Sequence, residues 1–140
     1  AAGIPVLVQP PMAGALDAER IVLGWKNTRE TRRVIWDSLP LLKAAQAVHL
    51  VRFVEGEDDG GACLDEVAER LRRHGVKVEA TPRQRSERTV ADDLQLGADD
   101  LDAGLIVAGA YGQPRLRELV LGSVTGELLN ESKRYVFFSH

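Results

Sequence analysis

The sequence predicts a three-layer, doubly wound α/β domain, an open parallel sheet with helices on both faces. Three observations predict it. Short apolar runs alternate with amphipathic stretches along the chain, the pattern of successive βαβ units. One run, Leu105-Ile106-Val107-Ala108, is continuously apolar, as a strand covered by helices on both faces must be. Glycines and a serine follow that run, where sheets of this kind open their ligand crevices. The 140 residues suffice for one packed core and are too few for two.

Taken in order, residues 20–25 form the first full strand, with Ile21, Val22 and Leu23 at its centre. Asn27 and Glu30 stand three apart, a capping-box-like spacing that starts a helix. The string Val34, Ile35, Leu39, Leu42 marks its buried side. Pro40 lacks an N–H and clashes one turn back, so the expectation is a kinked or split helix. Residues 47–54 form the second strand. Leu64, Val67, Ala68 and Leu71 repeat at i, i+3, i+4, i+7, an amphipathic helix that Gly75 ends with a left-handed cap. Residues 76–81 alternate valine with charged residues, as a strand near a sheet edge does. Val90, Ala91, Leu94, Ala98 and Leu101 share one face of the next helix. The buried strand at 105–108, a nine-residue loop, a helix over 123–132 and a last strand at 135–139 complete the domain.

One strand is left over. Residues 4–9 precede the first unit across a linker holding Pro10, Pro11 and Gly14, and their Ile-Pro-Val-Leu-Val resembles the closing Tyr-Val-Phe-Phe. They read either as the last strand of a preceding copy of the fold or as an edge strand native to one domain. On the first reading residues 1–18 are the remnant of a preceding repeat and residues 19–140 are the domain. Antiparallel pairing between residues 4–9 and 135–139 is expected, because each otherwise leaves an open apolar edge.

Composition narrows the function classes. The net charge of −3, with basic residues dispersed, offers no footprint for nucleic acid or an anionic membrane. Arg70, Arg72 and Arg73 sit among Glu66 and Glu69 as a solvated helical face. Cys63 is the single cysteine, so no internal disulfide forms and a reducing cytosol is the expected compartment. The apolar run at 4–8 is too short to span a bilayer and lacks the basic flank of a signal peptide. His49, His74 and His140 have no ligand spacing, so no metal site is expected. No catalytic triad or general base stands near the glycines.

The informative segment is Gly109-Ala110-Tyr111-Gly112, nine residues, then Gly122-Ser123. Glycines after a buried strand let backbone approach an anion, and a helix N-terminus supplies N–H donors and partial positive charge. The loop is neither a Walker A motif nor a dinucleotide fingerprint. Spacing alone fits a phosphate site and ordinary turn glycines equally.

The same segment resembles the nucleotide motif of ATP-binding universal stress proteins. The stretches around Gly104–Gly112 and Arg115–Thr125, the terminal Phe-Phe-Ser-His and the upstream Gly24-Trp25 and Asn27-Thr28-Arg29-Glu30 carry the likeness over residues 19–140. The resemblance implies strand order 3-2-1-4-5 and ATP or another adenine nucleotide, with or without magnesium, between strands one and four. It also implies a cytoplasmic stress-response regulator without fast catalysis, slow ATP hydrolysis staying open, and pairing of end strands in a homodimer or with a tandem domain. Val124 and Thr125 extend the phosphate-facing helix start beside Gly122 and Ser123. Phe53 stands where the family holds adenine, though a core phenylalanine is an equal reading. Arg115 and Arg117 fit solvated loop residues better than phosphate ligands. Lys26 departs from the family, which usually has aspartate there, so the alternative is a nucleotide-free interaction module with an altered pocket.

Overall fold

The computed structural model describes residues 5–8, 15–25, 29–54, 61–84, 90–109 and 134–139. In chain order the elements are β1 (Pro5–Val8), β2 (Arg20–Gly24), α1 (Arg29–Ala44), β3 (Ala47–Val54), α2 (Gly61–Arg73), β4 (Val78–Gln84), α3 (Val90–Leu101), β5 (Leu105–Gly109) and β6 (Tyr135–Ser139). The sheet order is β1-β6-β5-β2-β3-β4. From β2 to β6 every pairing is parallel. Counted from β2, these five strands run 3-2-1-4-5. β1 lies antiparallel on β6, with Val6 opposite Phe138 and Val8 opposite Val136.

Side chains alternate across the strands, so the sheet buries two apolar faces. On one, Ile21, Leu23, Val48, Leu50, Leu105 and Val107 join Val34, Ile35 and Leu42 of α1 and Leu64, Ala68 and Leu71 of α2. On the other, Val22, Val51, Ile106 and Ala108 are buried, and α3, which packs on β2 and β5, contributes Leu94 and Ala98. β2 and β5 are therefore covered on both sides, which explains their unbroken apolar runs.

The helix ends follow local chemistry. Gly75 takes φ +86°, Val76 N–H donates to the Leu71 carbonyl and Gly75 N–H to Arg72, the paired bonds of a left-handed cap. Leu71 and Val76 are both buried beneath that cap. α3 ends the same way on Asp102, at φ 54°, with Ala103 N–H donating to Ala98 and Asp102 N–H to Asp99.

Two expectations are narrowed. Of the two outcomes expected at Pro40, a kink or a split, the split does not occur: α1 is one helix, Arg29–Ala44. Its buried side holds it together: Val34 and Leu42, on either side of the proline, are fully buried in the same core. β4 starts at Val78 and continues through Pro82 to Gln84. Its outer side has no strand partner among the described residues, so a missing N–H is tolerated. The helix expected over 123–132 and the cap residue Asn27 lie outside the described residues.

Candidate functional site

The strand order reverses between β2 and β5, because β2 leads outward to β3 and β4 while β5 leads to β6. A crevice at the carboxyl ends of two such strands is where open α/β sheets take ligands. Gly24 ends β2 opposite Ala108, and Gly109 ends β5 opposite Ser139. Trp25 continues from β2, its N–H donating to the Val51 carbonyl at 2.8 Å and its side chain buried.

Gly109 is buried, and a Cβ there would lie 2.5 Å from the Thr31 backbone nitrogen and 2.6 Å from its Oγ1. Glycine at 109 thus admits the first turn of α1 against the end of β5. Anion approach and an ordinary turn were equal expectations for this glycine; in the described structure its missing Cβ makes room for Thr31. Thr31, only 1% exposed, is the residue that sequence reasoning missed. Its signal was the Asn27–Glu30 spacing, which locates a helix start but not the strand end that the helix touches. The first turn of a helix presents N–H groups without acceptors inside the helix and a partial positive charge.

Of the expected site residues, Gly109 lies at the end of β5, beside the reversal of strand order. Phe53 lies in β3, in register with Arg83 of β4, one strand away from the reversal. Lys26, Gly112, Gly122, Ser123, Val124 and Thr125 lie outside the described residues, as do Arg115 and Arg117. Among the described residues no three His, Cys, Asp or Glu side chains gather as a metal set, and no helix is long and apolar enough to cross a membrane.

The other side of the domain is tied down by ion pairs. Arg134, just before β6, donates from Nε to the Ala103 carbonyl at 2.9 Å and from Nη1 to Gln95 Oε1 at 3.2 Å, and pairs with Asp99. Arg83 of β4 meets Asp100 of α3 at 2.6 Å. Between α1 and α2 an apolar groove of about 110 Å³ opens beside Trp36.

No protein-family model matches the sequence, and no curated protein matches it. Solved structures do. A protein of the universal stress protein family from Burkholderia pseudomallei superposes with a TM-score of 0.64 at 21% identity, over 79% of this chain and 93% of that one. A universal stress protein from Archaeoglobus fulgidus gives 0.68 at 18% identity, over 96% of this chain and 48% of that one, so the chain spans about half its length. A universal stress protein in complex with cAMP gives 0.63 at 22% identity, over 87% and 96%. At these identities the likeness is one of fold: the chain has a universal-stress-protein-like architecture.

Proposed function

We propose that this chain, with the fold of the universal stress proteins, is a stress-response regulatory domain that binds ATP or a related adenine nucleotide, with or without magnesium. The observation that carries the reading is the reversal of strand order between β2 and β5, with Gly109 at its lip and the first turn of α1 against it. The neighbour in complex with cAMP supports an adenine nucleotide as the ligand class. Gly112 follows Gly109 by three residues, so chain length alone keeps it within about 11 Å of the end of β5. Lys26 directly follows Trp25.

In this reading Gly112, Gly122 and Ser123, continued by Val124 and Thr125, offer backbone N–H and hydroxyl donors to phosphates. Phe53 and its backbone hold adenine. Lys26 replaces a hydrogen-bond acceptor for the nucleoside with a cation that draws phosphate, so the site is weak and poorly selective for the nucleoside. With no nucleophile or general base assigned, the domain senses nucleotide in the cytosol rather than turning it over quickly.

Calorimetric titration with ATP tests the reading. Gly112→Val and Gly122→Val are each expected to weaken binding at least about tenfold, about 1.4 kcal/mol, because a branched Cβ meets phosphate or opens the loop. Ser123→Ala is expected to cost less, since backbone donors remain. Unchanged affinity in folded glycine variants removes this site.

A second reading is a nucleotide-free pairing module, favoured by β1 lying antiparallel along β6 and by Lys26. There residues 1–18 close a preceding repeat and residues 19–140 form the second domain, paired with a tandem or dimeric partner through the end strands. The half-length match to the Archaeoglobus fulgidus protein fits a tandem arrangement. Denaturing freshly purified protein and chromatographing the supernatant separates the two readings. ATP or ADP near stoichiometry favours the first; no released nucleotide and no binding on titration favours the second.

A further inference from the structure

Residues 26–28 alone separate Trp25, which follows β2, from the start of α1 at Arg29. Thr31 lies in the first turn of that helix and is 1% exposed. Facing it, Gly109 closes β5. A Cβ on Gly109 would stand 2.5 Å from the Thr31 nitrogen and 2.6 Å from both its Cα and its Oγ1. The same test at Gly97 and Gly75 finds no atom nearer than 3.7 and 3.8 Å. Comparable crowding recurs at the amino end of β5, where Gly104 meets the Asp17 carbonyl. β5 is therefore clamped at both ends, and the Thr31 clamp is the one beside the reversal of strand order.

The side-chain atom of Thr31 nearest to that absent Cβ is the hydroxyl oxygen. Oxygen is smaller than a methyl group, so valine in this place crowds the end of β5 although its outline is otherwise that of threonine. Packed interiors transmit such strain instead of absorbing it. A ligand held between two elements needs them within about 0.5 Å of their proper separation. We infer that Thr31 is a positioning residue for the nucleotide site: its hydroxyl edge, set against Gly109, fixes the distance between the start of α1 and the end of β5. Buried as it is, Thr31 acts through that contact and not on the ligand itself. This role rests on the adenine-nucleotide reading above and adds to it a residue outside the glycine motif.

Calorimetric titration with ATP, at a temperature where circular dichroism shows every variant folded, tests the role. Thr31→Val, which crowds the contact, and Thr31→Ala, which slackens it, are each expected to weaken ATP at least about fivefold. Thr31→Ser keeps the hydroxyl and is expected to bind within about twofold of the intact chain, as is Leu42→Val at the far end of the same helix. Leu42 is fully buried, so its variant lowers the melting temperature and separates lost stability from lost positioning. Undiminished affinity in folded Thr31→Val or Thr31→Ala, or an equal loss in Thr31→Ser or Leu42→Val, would overturn the role alone. An intact chain that binds no ATP would remove the nucleotide reading and the role with it.

Discussion

Three glycines respond differently to the same methyl group. At Gly75 there is open space, the nearest atom being Lys43 Cε at 3.8 Å, but φ is +86°. Gly75→Ala is therefore expected to cost about 1 kcal/mol, the left-handed penalty less the entropy removed from the unfolded chain, and Gly75→Asn less. Gly97 lies inside α3 with the Arg83 side chain 3.7 Å from its would-be Cβ, an ordinary contact. Gly97→Ala is expected to stabilise by about 0.5–1 kcal/mol through helix propensity. Gly109→Ala meets the Thr31 backbone and is expected to cost about 1–3 kcal/mol as α1 is pushed away. Urea midpoints at constant m-value check all three. Lys26 adds a prediction in binding rather than stability. Lys26→Asp is expected to tighten adenosine-containing ligands relative to inorganic triphosphate at matched ionic strength. Equal weakening of both would instead make the lysine a phosphate ligand.

At the scale of elements, Arg134 ties the start of β6 to α3. Its side chain is mostly buried while Asp99 is largely exposed, so removing the arginine lets the carboxylate rehydrate but deprives the Ala103 carbonyl of its donor. Arg134→Met is expected to lower stability by about 1–3 kcal/mol, and Arg134→Lys to restore little, because an ammonium cannot reach three acceptors in one plane. β1 protects the same edge of the sheet. Deleting residues 1–10 removes the strand paired with β6 and leaves its backbone groups open to another chain. Sedimentation of the truncated protein is expected to show stronger concentration-dependent self-association than the intact chain.

For the molecule as a whole, a ligand that binds only the folded state stabilises it by mass action. With ATP at about a hundred times its dissociation constant the gain is about 2.7 kcal/mol, a rise of roughly 5–10 °C in melting temperature for a domain of this size. Because the proposed site joins the ends of β2 and β5 at the centre of the sheet, the whole melting transition is expected to move together. A shift with triphosphate as large as with ATP would show that the adenosine contributes nothing.

The sequence by itself determined the elements and their layering. The apolar runs of β2 and β5, the helical spacing on α2 and the glycine at 75 are local signals, since side-chain periodicity and backbone sterics act within a few residues. It also singled out Gly109, through its place after the most buried strand. Only the tertiary structure decided why that glycine is needed: Thr31, 78 positions away in the chain, occupies the space of its Cβ, and no local pattern encodes a contact between distant segments. For the same reason α1 passes through Pro40 and β4 extends over Pro82. Proline's local preference is real, but burial of Val34 and Leu42 in one core outweighs it in the helix, and an unpaired outer edge removes it in the strand.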